Sequence, residues 1–75
     1  MKIKIKTLSN KITEININNN YFIRTIKNRL QEMEGIEPDQ QEIIFNNKIL
    51  DDNTLINTLE LNSNSILQLI LAIRG

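Results

Sequence analysis

Met1-Lys2-Ile3-Lys4-Ile5-Lys6 decides how the rest of this 75-residue chain is read. Apolar and cationic residues alternate with a period of two, which predicts a β-strand with one buried and one wet face. Leu8-Ser9-Asn10-Lys11 follows as a hairpin turn, with Asn10 able to take the left-handed conformation usually given to glycine. Ile15 and Ile17 continue an inward face, so residues 1–17 form a β-hairpin. Only Ile12 breaks the alternation, either as an exposed apolar side chain or through a local bulge. Asn18-Asn19-Asn20 then offers caps to an amphipathic helix. Ile23, Ile26 and Leu30 recur on it at helical spacing, and Arg24, Lys27, Asn28, Gln31 and Glu34 are available for its outer face. Gly35 supplies the left-handed stop, and Pro38 prevents resumption. Residues 40–45 form a third strand, which Asn46-Asn47 turns towards Lys48-Ile49-Leu50. A loop with a short helical turn, carrying Leu55, Leu59 and Leu61, leads to a final strand over residues 66–73. The order β-β-α-β-β predicts an α+β domain with a single helix packed across one sheet face.

Composition narrows the chemistry such a domain can perform. The chain has no Cys and no His. It therefore lacks thiolate nucleophiles, disulfides, the usual zinc ligands and any side chain that ordinarily titrates near pH 7. An enzyme is not expected, nor a bound metal or cofactor. Nine basic residues balance nine acidic ones, which argues against nucleic acid or a membrane surface as partner and in favour of other proteins. No apolar run approaches the roughly 20 residues of a membrane span, and the amino terminus reads as a strand rather than a signal peptide, pointing to the cytoplasm and nucleus. A domain of this size needs a dense core, and fifteen isoleucines are at hand to build it.

The final residues, Leu71-Ala72-Ile73-Arg74-Gly75, carry an apolar strand off the domain into a narrow tail closed by glycine. A residue without a side chain can pass through a catalytic cleft and present its carboxylate to a nucleotide, a thiol or an amine. The chain thus divides into a domain of residues 1–71 and a tail of residues 72–75, and the tail carboxylate is its one reactive group. Elsewhere, strand alternation places Leu67, Leu69 and Leu71 inside. It turns Ile66, Gln68, Ile70 and Ala72 towards the face the helix does not cover. Ile44 is likewise exposed, between inward Ile43 and Phe45, and can join Ile70 and the turn residue Leu8 in an apolar patch of the kind that marks partner sites. Scattered surface apolar residues are also ordinary. Lys2, Lys4 and Lys6 read as the wet face of a sheet, with Lys6 the one expected to touch a partner. Asp51 and Asp52 form a solvated turn; with no third ligand near in sequence, they do not make a metal site.

The element order, with Met1-Lys2-Ile3, Lys6-Thr7-Leu8, Lys27, Glu34-Gly35-Ile36, Pro38-Asp39-Gln40-Gln41, Ile44-Phe45, Lys48, Leu50, Asp52, Leu67, Leu69, Leu71 and Arg74, resembles the ubiquitin family over nearly the whole chain. The resemblance implies a β-grasp fold with a mixed sheet. Lys4 and Ala72 resemble the neddylation, or Rub, branch, whereas Gln31 and Asp39 resemble ubiquitin proper, which carries arginine where this chain has Ala72. A modifier joined through its terminal glycine to lysines of target proteins by an isopeptide bond is implied. Its partners would be an activating enzyme, a conjugating enzyme, a ligase and a deconjugating protease, with cullins as targets in the Rub reading and ATP bound by the activating enzyme. The modifier itself would be a monomer. The resemblance further implies Leu8, Ile44, Gln68 and Ile70 as the partner patch and Lys6, Lys11, Lys27 and Lys48 as modifier-acceptor lysines. Departures stand beside it. The family ends in two glycines and this chain in one, so a conjugating form needs another. Asn10 and Asn47 replace glycines, Glu37 a proline, Glu42 an arginine and Gln68 a histidine. A non-covalent interaction module and a sulfur carrier that activates the same carboxylate are the competing functions, the latter fitting residues 35–45 less well.

Overall fold

A computed structural model describes residues 1–72. Strands β1 (Lys2–Lys6) and β2 (Ile12–Asn16) form the expected hairpin, with Asn10 in the left-handed region at φ 65°. The register runs unbroken from Lys2 opposite Asn16 to Lys6 opposite Ile12. No bulge is needed. Ile12 is an exposed apolar residue, 54 % accessible. Met1 is half exposed rather than inward, because it precedes β1 and only its backbone joins the ladder, its amino group donating to the Ile17 carbonyl at 2.8 Å.

Helix α1 (Ile23–Glu34) buries Ile23, Ile26 and Leu30 as the spacing predicts, and Gly35 ends it at φ 73°. The asparagine run does not cap it. The residue before the helix is Phe22, in extended conformation and without a side-chain cap. The unpaired N–H groups of the first turn find backbone partners instead: Ile23 donates to the Thr54 carbonyl at 3.0 Å and Arg24 to that of Asp52 at 3.1 Å. The loop at residues 52–54 thus performs the task assigned to Asn18–Asn20, which is why a local pattern mislocates it. Pro38–Gln40 makes a 3₁₀ turn, so Gln40 lies outside β3 (Gln41–Phe45). Asn46 and Asn47 both take positive φ, 53° and 64°. That is the two-residue turn whose twist matches a hairpin, and asparagine tolerates it. It returns the chain as β4 (Lys48–Ile49), a short additional strand that makes the order β-β-α-β-β-β. A 3₁₀ turn over Ile56–Leu59 precedes β5 (Ile66–Leu71), which stops two residues before the expected Ile73; that residue lies outside the described ones.

The five strands form one sheet in the order β2-β1-β5-β3-β4, with β1 and β5 parallel and the other neighbours antiparallel. It is the mixed sheet of a β-grasp domain. Its helix-covered face holds the core, in which eight of the fifteen isoleucines join Leu30, Leu67 and Leu69. Leu71 is not among them. It is 49 % exposed at the last position of β5, although Gln41, opposite it in β3, is buried.

Candidate partner-binding face

The sheet face away from α1 is open, and the strand registers fix which side chains share it. Lys6 pairs with Ile12 on one side and Gln68 on the other, Gln68 pairs with Ile44, and Ile44 pairs with Ile49. Directly opposite residues project from the same face. One row therefore crosses the whole sheet as Ile12-Lys6-Gln68-Ile44-Ile49. In the next row Ile70 pairs with Glu42, and the turn after β1 carries Leu8 beyond Lys6 on that side. Leu8, Ile44, Gln68 and Ile70 are thus neighbours by register, with Gln68 in the middle and Glu42 at the rim. Ile44 and Ile70 are half-buried and Leu8 is exposed, whereas Ile43, one residue from Ile44, is fully buried.

The face extends beyond the four residues that the resemblance implies as the partner patch. Ile49, 62 % exposed, lies opposite Ile44, and exposed Ile66 follows two residues before Gln68. Ile49 is legible in the sequence only once Asn46-Asn47 is read as a two-residue turn, since that turn alone sets Ile49 across from Ile44.

The lysines divide sharply. Lys11 and Lys48 are exposed, and Lys6 is half-buried on the open face. Lys27 does not lie on the outer face of α1. It is 7 % exposed and donates from Nζ to Asp52 Oδ1. The same Asp52 accepts from Arg24 Nη1 at 2.9 Å, and Arg24 reaches Asp39 at 3.0 Å. The hydrogen bond from the Lys27 ammonium, foremost, with a second from Arg24, holds the Asp52 carboxyl below the usual carboxylate range, against a desolvation that would raise it. The hydrogen bonds that Arg24 donates to Asp52, foremost, and to Asp39 raise it above its ordinary value. Asp52 is therefore a structural counter-charge rather than half of a solvated pair; Asp51 alone is exposed. As an acceptor of a modifier, Lys27 would have to leave its carboxylate and the protein interior. Among the described residues no cluster of three His, Cys, Asp or Glu side chains could hold a metal.

Strand β5 ends at Leu71. The Ala72 N–H still donates to the Gln40 carbonyl at 2.8 Å, and the side chain is half-buried. Ile73, Arg74 and Gly75 lie outside the described residues.

Comparison with known proteins agrees with this architecture. The ubiquitin family model matches residues 3–74. Ubiquitin-like protein NEDD8 of Dictyostelium discoideum is 43 % identical over 75 residues, covering 100 % of this chain and 97 % of that protein. NEDD8-like protein RUB3 of Arabidopsis thaliana is 41 % identical over 75 residues, covering 100 % and 96 %. AN1-type zinc finger protein 4 of Mus musculus is 32 % identical over 75 residues, but these make up only 10 % of its length. With most of its length matched by the family model and by full-length relatives of the Rub type, the chain belongs to the ubiquitin family.

Proposed function

We propose that the chain is a covalent protein modifier of the neddylation type, acting in the cytoplasm and nucleus. It is attached through a C-terminal glycine to lysines of target proteins, cullins among them. The chain contributes no catalytic group. An activating enzyme joins the tail carboxylate to the α-phosphate of ATP, releasing pyrophosphate, to form an acyl adenylate; an enzyme thiolate displaces AMP to form a thioester; and a target lysine amine displaces the thiolate. Residues 71–75 form the conjugation tail that reaches these sites, and the face around Leu8, Ile44, Gln68 and Ile70 receives the partners.

The observation that supports this most is Ala72, the small residue that follows β5, in a sequence similar along its full length to Rub-type proteins. A methyl side chain and an arginine at that point ask for different pockets in an activating enzyme. One finding favours a second reading. Since a relative carries the matching segment as a tenth of its length, a domain of this sequence could also serve as a non-covalent module of a larger protein. Mass spectrometry separates the two. Isopeptide-linked remnants of this tail on lysines of other proteins support the modifier, whereas a protein recovered only within a longer, uncleaved polypeptide refutes it.

A further inference from the structure

At the margin of the sheet where β4 ends, one groove is lined by four carboxylates, Asp39, Glu42, Asp51 and Asp52, and by two cations, Arg24 and Lys27. The cations are already engaged. Both bond Asp52, and Arg24 also reaches Asp39. Among the described residues Glu42 and Asp51 make no ion pair, so two negative charges in the groove go unanswered. The hairpin explains why these two lie together. Ile44 pairs with Ile49, and the Leu50 N–H donates to the Ile43 carbonyl at 2.8 Å. That register, carried one residue further, brings Asp51 level with Glu42. Like charges that face each other across a hairpin oppose its pairing, and a bound cation would relieve the opposition. Gln41 adds an acceptor to the same lining. It is 1 % exposed; its Nε2 donates to the Lys27 carbonyl at 2.9 Å and to the Ile36 carbonyl at 2.8 Å, and its Oε1, turned away from both, has no partner. Beside these acceptors stands Ile49, an exposed apolar wall of the groove.

We propose that this groove receives an arginine side chain of a partner protein, with an aliphatic neighbour of that arginine covering Ile49. Arginine suits the site better than lysine. Its planar guanidinium carries five N–H donors in a fixed fork, enough for carboxylates that arrive from two sides, and it is weakly enough hydrated to lie against an apolar wall. Glu42 and Asp51 supply the charge that draws it in. The Gln41 carbonyl dipole makes the lining more negative without adding a charge of its own. The same groups repel an acidic partner, so Glu42 and Asp51 select by exclusion as well as by attraction. Within the sheet β4 lies three strands away from β1, which carries Lys6 and leads to Leu8, so the two margins of the open face present opposite charge. The proposal does not depend on the modifier reading.

The probe is the acetylated and amidated peptide Gly-Ser-Arg-Leu-Ser-Gly, titrated into the isotope-labelled full chain while the side-chain carboxyl carbons of Glu42 and Asp51 and the surrounding amides are followed by NMR. Saturable shifts at Glu42, Ile49 and Asp51 are expected, with a dissociation constant in the roughly millimolar range. Citrulline in place of the peptide arginine, matched in shape but uncharged, weakens binding about tenfold or more, and lysine weakens it about threefold. The double variant Glu42→Gln, Asp51→Asn weakens the arginine peptide about tenfold yet leaves the citrulline peptide's weaker binding unchanged, which a general loss of structure would not do. Equal binding of the arginine and citrulline peptides overturns the proposal. So do shifts confined to the Leu8 and Lys6 side of the sheet, or no saturable shift at Glu42 and Asp51. Concentration-dependent shifts of the two carboxyls without peptide would mean that a second copy fills the groove, and shifts there in Arg74→Ala without peptide would mean that the chain's own tail does; either result overturns it as well.

Discussion

Replacing Asp52 with alanine should destabilise the domain far more than replacing its partner, Lys27, with methionine. The asymmetry follows from burial. The Lys27 side chain is 9 % exposed and that of Asp52 32 %. Asp52→Ala leaves an ammonium in the interior without a counter-charge, whereas Lys27→Met leaves a partly hydrated carboxylate that still holds Arg24. Breaking a fully buried ion pair costs about 3–5 kcal/mol, while exposed pairs contribute about 0–1 kcal/mol. With one partner a third exposed, an intermediate loss of about 2 kcal/mol is expected for Asp52→Ala and under about 1 kcal/mol for Lys27→Met. In a domain of this size that corresponds to a fall in melting temperature of about 8–16 °C for Asp52→Ala. The double variant should resemble Lys27→Met alone, since no stranded charge remains.

The pH dependence has a definite sign. The folded-state pKa of Asp52 is lowered, so its contribution is present above the unfolded pKa and is lost as pH falls through the folded value. The gap between wild type and Asp52→Ala, read from urea denaturation, should therefore be full at pH 6 and begin to close below about pH 4. Equal and additive losses for the two single variants, with a gap that does not change down to pH 2, would refute the reasoning.

Three further outcomes follow. Ile43→Ala removes a fully buried side chain and should cost about 2–5 kcal/mol, whereas Ile44→Ala should cost clearly less and weaken binding to patch-directed receptors; comparable losses of melting temperature would show the strand phase to be wrong. Ala72→Arg, in a form ending in two glycines, should reduce thioester formation with a neddylation-type activating enzyme and increase it with a ubiquitin-type one, since an arginine admitted to a pocket built for a methyl group buries a charge. Because Gln68 cannot ionise, no titration at that position should alter receptor binding between about pH 5.5 and 8, and Glu42→Arg with Gln68→His should speed association with receptors of ubiquitin's patch. Association as fast for wild type as for ubiquitin, measured by surface plasmon resonance, would place the specificity elsewhere.

Periodicity carried the fold a long way because most of its decisions are local. The alternation through Lys2–Lys6 and the opposite orientations of Ile43 and Ile44 are visible in neighbouring residues, and so is the left-handed stop at Gly35. What escaped depends on residues far apart along the chain. Lys27 sits on a helix that could as well have turned it outward, and it is drawn inward by Asp52, 25 residues later. The helix start is completed by carbonyls of residues 52 and 54, which no inspection of Asn18–Asn20 could reveal. Leu71 continues the correct alternation but is half exposed. Alternation tells which face a side chain takes, not whether anything lies over it. The open sheet face was legible at its centre, through Ile44, Gln68 and Ile70. Its extension through Ile49 required the register of a hairpin whose second strand is two residues long.

The position of β5 governs when this protein can first exist as a folded molecule. The last of the five described strands to leave the ribosome is the middle strand of the sheet, flanked by β1, the first of them, and by β3. Until residues 66–71 have emerged, the β1–β2 hairpin and the β3–β4 hairpin have no strand to join them, and the apolar sides of Ile3, Ile5 and Ile43 have no sheet to complete. Folding is therefore deferred until residues 66–71 have emerged, and a polypeptide interrupted before β5 is two unconnected hairpins and a helix, a species for quality control rather than a smaller version of the domain.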